Sequence, residues 1–178
     1  MTRVVLVDQN DNPIGLKERT ELSAGDMTRA SALWITNSRG DILLAQRAFS
    51  KKSSPGMWGA AVVGTVDEGE EYLDNAVKEA SEELGLTILP TELAIGVKRF
   101  VDSNSHRFFI QWYAYVTDVA RENLVLQAEE VADARWFTRE ELEHMIESRP
   151  HDFFGGNGEW AREQMQLYPF TPPSESTS

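Results

Sequence analysis

The stretch that decides the fold runs from residue 64 to residue 86 and reads GTVDEGEEYLDNAVKEASEELGL. Its apolar residues recur at spacings of three, four and seven, which predicts an amphipathic helix with one face against a core. These residues are Leu73, Ala76, Val77, Ala80 and Leu84. Gly85 follows the last of them, where a left-handed C-terminal cap is expected. Ahead of the helix, Gly64 and Gly69 bracket an acidic loop.

Three carboxylates follow one side of this helix at positions i, i+3 and i+4: Glu79, Glu82 and Glu83. They fall within about 100° of one another beside the apolar stripe, so we expect them at the rim of the buried face. Like charges at such spacings repel each other by roughly 0.2–0.5 kcal/mol per pair. Glu70 lies near the first turn, where the helix dipole favours an acid. The pattern is typical of a site that holds a cation.

Composition limits the class of protein. The chain has 178 residues, so we expect one domain over residues 1–170 with an N-terminal hairpin extension, and a disordered tail over 171–178. It has no cysteine, which excludes thiol catalysis, zinc–thiolate sites and disulfides and favours a cytoplasmic location. No apolar run approaches the ~20 residues of a membrane span, and the N-terminus is too short and too polar for a signal peptide.

The net charge of −12 is unevenly distributed. The 17 residues from Asp67 to Glu83 contain eight acids and a single base, Lys78, which is a net charge of −7. Such a surface disfavours polymeric nucleic acid and anionic membranes as partners. It leaves room for a small anionic substrate that arrives with a divalent metal. An unpatterned acidic run is usually a solvated helix face, but the glutamate spacing favours a site.

Strands are predicted on both sides of the acidic helix. Turn-forming residues at 8–13 and 37–41 predict two hairpins. The expected strands cover residues 4–7, 14–16, 30–36, 42–46, 58–63, 93–101, 107–116 and 134–137. Residues 20–27 read as a short helix or loop, Thr138 and Glu141 open a capped helix to about Ser148, and a last helix covers 159–167. This order predicts an α/β sandwich with a mixed sheet.

At these residues the chain resembles the Nudix hydrolases, whose box is Gly-x5-Glu-x7-Arg-Glu-(apolar)-x-Glu-Glu-x-Gly-(apolar). The residues at the box positions are Gly64, Glu70, Lys78, Glu79, Ala80, Glu82, Glu83, Gly85 and Leu86, and all but Lys78 match. The resemblance implies an α/β/α sandwich and hydrolysis of a diphosphate linkage in a nucleoside diphosphate derivative. It also implies Mg²⁺ or Mn²⁺ held by Glu79, Glu82 and Glu83, with Gly64 presenting a backbone carbonyl. Hard cations of this kind prefer oxygen ligands, and they activate water near neutral pH.

Lys78 departs from the family pattern, which has arginine there. The family arginine orients the neighbouring glutamate through a planar fork that an ammonium group cannot reproduce. Because Lys78 is one turn from Asp74 and Glu82, we expect it to neutralise charge there, with less preorganisation of the site.

The resemblance extends beyond the box to the branch around type 1 isopentenyl-diphosphate isomerase. The similar stretches are residues 7–8, 13–15, 19, 46–52, 55–58, 129–131 and 135–137. That isomerase needs a cysteine just after Trp58 and a histidine in the following segment, yet residues 59–66 contain neither. Its upstream metal-binding histidine is also missing from residues 27–29. We therefore expect a hydrolase, with an isomerase-like protein or a non-catalytic nucleotide-binding module as alternatives.

Two further groups are candidates for substrate binding and catalysis. Arg47, Lys51 and Lys52 form a basic loop that could clamp a diphosphate, and the alternative is an ordinary polar loop. Glu130, or its neighbour Glu129, could serve as the general base, and the alternative is a solvated strand entry. We expect a small-molecule diphosphate as substrate and keep a homodimer open.

Overall fold

The structure is a computed structural model that describes residues 2–103 and 106–169. The predicted tail at 171–178 lies outside the described residues. The strands are β1 (Arg3–Val7), β2 (Pro13–Glu18), β3 (Met27–Thr36), β4 (Ile42–Arg47), β5 (Trp58–Ala60), β6 (Val62–Thr65), β7 (Ala94–Asp102), β8 (Arg107–Val116) and β9 (Val131–Phe137). The α-helices are α1 (Tyr72–Leu84), α2 (Arg139–Ser148) and α3 (Glu159–Leu167).

The chain divides into two compact units, and the first comprises the described parts of Met1–Leu33 and Val62–Ala114. Within it, β1 and β2 form an antiparallel pair, which confirms the first predicted hairpin. β6 pairs antiparallel with the first part of β3, so that Gly64 lies opposite Ser31. β7 and β8 form a second antiparallel pair. β6, which ends at Thr65, is the last strand before the acidic helix α1.

The tip of the first hairpin is held by a partly buried network around Asp11. This residue has a left-handed backbone with φ of 63°. Its carboxylate accepts hydrogen bonds from Arg29 Nε at 2.7 Å, Lys98 Nζ at 2.6 Å and Tyr72 OH at 3.0 Å. Burial raises the pKa of Asp11, but these three donors outweigh it and hold the pKa below its usual value. The network ties the hairpin to β3, β7 and the start of α1.

Helix α1 ends at the predicted cap. The backbone N–H of Glu71 donates to Asp74 Oδ2 at 3.2 Å before the first turn. Gly85 adopts the left-handed conformation with φ of 67°, which confirms the predicted cap. The buried face consists of Tyr72, Asn75, Ala76, Ala80 and Leu84. It differs from the predicted stripe because Tyr72 and Asn75 are buried, while Leu73 and Val77 are partly exposed.

The second unit comprises the described parts of Trp34–Ala61 and Tyr115–Ser178. Within it, β4 pairs antiparallel with β5, β9 and the end of β3, and the last pairing confirms the second predicted hairpin. Helix α2 begins with the predicted capping box, in which Thr138 Oγ1 accepts from the Glu141 N–H at 3.1 Å and Glu141 Oε2 accepts from the Thr138 N–H at 2.8 Å. Helix α3 matches the predicted residues 159–167.

The direction of β8 makes the sheet mixed. β8 is a hydrogen-bonded neighbour of β3. Just beyond the last residue of β8, the N–H of Thr117 donates to the carbonyl of Thr36, the last residue of β3, at 2.9 Å. The C-terminal ends of β3 and β8 are therefore side by side, and the two strands run parallel. The protein is therefore of the α/β class with a mixed sheet, as predicted. Across residues 2–103 and 106–169, no helix has the length and apolar character needed to cross a membrane.

One predicted strand is wrong. Residues 58–63 form two strands, β5 and β6, which are separated at Ala61 and pair with different partners. An unbroken apolar run carries no signal of a change of partner, because every residue in it can be buried on either strand. The break matters for the site, since β6 delivers Gly64 to the face of α1.

Candidate functional site

The box glutamate Glu79 is packed against Gly64 within the first unit. A Cβ atom added at Gly64 would lie 2.3 Å from Glu79 Cγ, 2.6 Å from its Cδ and 2.9 Å from Asn75 Oδ1. Such distances are far below carbon–carbon contact at about 3.5–4.0 Å. A side chain at residue 64 would therefore displace Glu79 or β6, because the backbone of β6 approaches the Glu79 side chain, which is only 13% exposed.

Lys78 bridges three acids at the start of the acidic segment. Its Nζ lies 2.7 Å from Glu70 Oε1, 3.1 Å from Asp67 Oδ2 and 3.4 Å from Glu79 Oε1. These partners differ from the expected Asp74 and Glu82. Helical side chains tilt toward the N-terminus, which directs Lys78 away from Glu82 and back to the loop before α1. Asp74 lies on the N-terminal side as well, but its carboxylate accepts from the Glu71 N–H. Burial lowers the pKa of Lys78, but the hydrogen bonds to Glu70 and Asp67 outweigh it and raise the pKa.

Glu70 and Glu79, which are both partly buried, are in different electrostatic states. Burial raises the pKa of Glu70, but hydrogen bonds from Lys78, Asn75 and the Asp67 backbone outweigh it, so the pKa lies below its usual value. For Glu79 burial dominates and raises the pKa; Lys78 opposes the shift, and the nearby Glu82 charge adds to it. Charging Glu79 therefore costs free energy in the metal-free protein, and a cation beside it would offset that cost.

Asn75 is a site residue that the sequence reasoning missed. It is fully buried on α1, and its Nδ2 donates to Glu70 Oε2 at 2.9 Å, to Thr65 O at 3.0 Å and to Glu79 Oε1 at 3.3 Å. Its Oδ1 accepts from Ser31 Oγ at 2.6 Å. The signal that could have found it is its position: an amide on the apolar face, one helical turn before Glu79.

The other box glutamates lie on the same helix with more access to solvent. Glu82 is exposed and Glu83 is partly exposed. Among the described residues, no three acids, histidines or cysteines are close enough to form a ready-made metal site. Like charges on one helix face repel, which accounts for the open arrangement. Their oxygen atoms nevertheless suit a hard divalent cation.

The predicted basic loop lies in the second unit. Arg47 Nε donates to the carbonyl of Ser53 at 2.9 Å. Lys51 Nζ lies 2.7 Å from Glu130 Oε1, and both side chains are partly buried. The predicted phosphate ligand Lys51 and the predicted base Glu130 are thus ion-pair partners, while Lys52 and Glu129 are exposed.

Comparison with known proteins identifies the family. The family model described as the NUDIX domain matches residues 26–156. The chain belongs to the Nudix family. An uncharacterized Nudix hydrolase of Pseudomonas aeruginosa is 37% identical over 140 residues, which are 78% of this chain and 79% of the relative. An isopentenyl-diphosphate Delta-isomerase of Pectobacterium atrosepticum is 31% identical over 157 residues, or 86% of each chain.

Solved structures agree on the fold. The crystal structure of DR0079 from Deinococcus radiodurans superposes with a TM-score of 0.71 at 24% identity, covering 93% of this chain and 99% of the other. A MutT protein from Methanosarcina mazei gives a TM-score of 0.59 at 20% identity, over 78% and 95% of the two chains. The predicted Nudix resemblance and fold are confirmed, and the chain is a Nudix hydrolase.

Proposed function

We propose that this Nudix hydrolase cleaves the diphosphate linkage of a nucleoside diphosphate derivative with Mg²⁺ or Mn²⁺. Glu79, Glu82, Glu83 and the backbone carbonyl of Gly64 would hold the cation. The observation that carries the proposal is the position of Glu79, which is partly buried, has a raised pKa and lies so close to Gly64 that a Cβ there would clash with it. A carboxylate whose pKa is raised by burial beside other charged groups is typical of functional sites.

Two of the proposed ligands, Glu79 and Glu82, would have different roles. Glu79 is held in place by Lys78 and Asn75, while the exposed Glu82 is accessible to an incoming substrate. When bound, a divalent cation would neutralise phosphate charge and lower the pKa of a water molecule.

The second unit supplies a separate proposal. Arg47, Lys51 and Lys52 would bind phosphate oxygens through charge-assisted hydrogen bonds. Glu130 would act as general base, and its 2.7 Å ion pair with Lys51 orients its carboxylate.

The second candidate function is isomerisation of isopentenyl diphosphate. The named isomerase relatives favour it, at 31% identity for the Pectobacterium protein. The sequence opposes it, because the chain has no cysteine to protonate the alkene carbon. Non-catalytic nucleotide binding is the third candidate, and the complete set of box glutamates opposes it.

A substrate panel tests the proposal. Phosphate release is measured by malachite green with added phosphatase, on nucleoside triphosphates, NADH, ADP-ribose and CoA. We expect turnover of at least one compound in MgCl₂ or MnCl₂ and none in EDTA. Interconversion of isopentenyl and dimethylallyl diphosphate is followed in parallel, and we expect none. Isomerisation without hydrolysis, or nucleotide binding without turnover, would contradict the proposal.

The cellular location and the oligomeric state are also part of the proposal. The absence of cysteine supports a cytoplasmic protein that acts on small molecules. A homodimer is a candidate oligomeric state, and light scattering after gel filtration would measure the mass in solution.

A further inference from the structure

The amide of Asn75 and the ammonium of Lys78 act on the same two carboxylates. Glu70 receives Asn75 Nδ2 on Oε2 at 2.9 Å and Lys78 Nζ on Oε1 at 2.7 Å. Glu79 receives both donors on Oε1, with Asn75 at 3.3 Å and Lys78 at 3.4 Å. Two side chains three residues apart on α1 therefore hold the two glutamates from different directions.

This arrangement corresponds to what one guanidinium group would provide. Arginine presents several N–H donors in a planar fork, whereas the lysine ammonium is a compact charge without a fixed direction. At residue 78 this chain has lysine. The directed, planar donor beside Lys78 is the Asn75 amide, whose own orientation is fixed by the Ser31 hydroxyl at 2.6 Å and the Thr65 carbonyl at 3.0 Å.

We propose that Asn75 is a positioning residue that, together with Lys78, replaces an arginine fork and orients Glu79 for metal binding. The inference rests on the proposed function, since Glu79 must be a metal ligand. Asn75 touches neither substrate nor metal in this scheme. It acts through Glu79, whose side chain is confined between the Asn75 amide, Lys78 and the backbone of Gly64.

A purely structural role for Asn75 makes different predictions. A buried amide that only fastens α1 to β6 would affect stability, and an arginine at position 78 would not compensate for its loss. A positioning role affects the metal affinity of the folded protein, and arginine at 78 would compensate because its fork supplies the missing donor. Loss of a residue that orients a metal ligand typically costs about 10–100-fold in affinity or activity.

The experiment compares wild type, N75A, K78R and N75A/K78R. Mn²⁺ affinity of the free protein is measured by electron paramagnetic resonance, and kcat and KM are measured with the best substrate of the panel, below the melting temperature of every variant. We expect N75A to weaken Mn²⁺ binding and lower kcat by about 10-fold or more. We expect N75A/K78R to recover most of both losses.

Asn37→Ala is the matched control. Asn37 is also buried, and its amide donates to Asp41 Oδ2 at 2.8 Å, but it belongs to the turn between β3 and β4. We expect this variant to melt at a lower temperature while its Mn²⁺ affinity and kcat stay within about 2-fold of wild type. If N75A does not fold, N75S and N75S/K78R take its place, because a hydroxyl group keeps one donor.

The outcomes are distinct. Wild-type Mn²⁺ affinity and kcat in N75A would overturn the positioning role and leave the proposed function intact. The same holds if N75A/K78R is no better than N75A. A wild-type protein with neither Mn²⁺ binding nor metal-dependent turnover would refute the proposed function and this inference with it.

Discussion

Replacement of Gly64 by alanine tests the packing on which the candidate site depends. The new Cβ would lie 2.3 Å from Glu79 Cγ and 2.9 Å from Asn75 Oδ1. Restoring ordinary contact distances requires a shift of about 1 Å or more in the Glu79 side chain or in β6. A misplacement of about 1 Å can cost roughly 10²-fold in rate, so we expect kcat to fall by about that factor.

The same substitution should also destabilise the fold. Overpacking of a well-packed region typically costs about 1–3 kcal/mol. For a chain of this length that corresponds to a decrease of about 2–12 °C in Tm. Differential scanning fluorimetry and steady-state kinetics on the purified variant measure both effects.

Gly25→Ala is the control for the loss of a glycine. A Cβ at Gly25 would have no heavy atom within 4 Å, and its backbone is not in the left-handed region. We expect wild-type kcat and Tm within error. If Gly64→Ala matches Gly25→Ala in both kcat and Tm, the close approach of β6 to Glu79 affects neither activity nor stability.

Three further outcomes are expected. Arg47→Ala should raise KM about 10-fold with a smaller effect on kcat, because a charge-assisted hydrogen bond to the phosphate of the bound substrate is lost. Lys51→Ala and Lys52→Ala should raise KM less. Unchanged KM in all three variants would show that the loop does not bind substrate. Saturation of the metal centre at tenfold excess over Kd should stabilise the native state by about 1.4 kcal/mol, or roughly 3–6 °C in Tm, and equal melts in EDTA and MgCl₂ would show that the free enzyme holds no ion. Asp11 has a lowered pKa, so its contribution is present above the unfolded-state pKa of about 4 and is lost as pH falls through the folded-state value. Urea unfolding should therefore show that the difference in unfolding free energy between wild type and Asp11→Asn decreases from pH 5 to pH 2.5. A difference that stays constant would contradict this.

The features that sequence reasoning predicted correctly depend on local chemistry. The cap at Gly85 and the capping box at Thr138 follow from backbone geometry and from donors within one turn. The order of strands and helices follows from apolar periodicity in the same way. These signals are complete within a few residues, so one sequence is sufficient to find them.

The features that were missed depend on contacts between residues that are far apart in the sequence. Lys51 and Glu130 are 79 residues apart, and nothing local in either segment indicates their ion pair. The direction of Lys78 and the burial of Asn75 likewise depend on the packing of β6 against α1. The metal-ligand roles of the glutamates remain predictions, since they come from the box pattern and the resemblance.

The most direct test of the central claim is the turnover of Glu82→Gln and Glu83→Gln, measured at saturating Mg²⁺ alongside Mn²⁺ binding to each free protein. Each substitution keeps the size of the side chain and removes its charge. We expect kcat to fall by at least about 10²-fold in both variants, with weaker Mn²⁺ binding, because a charged oxygen ligand is lost where negative charge develops. Wild-type turnover and wild-type Mn²⁺ affinity in either variant would contradict the assignment of these carboxylates to a metal centre.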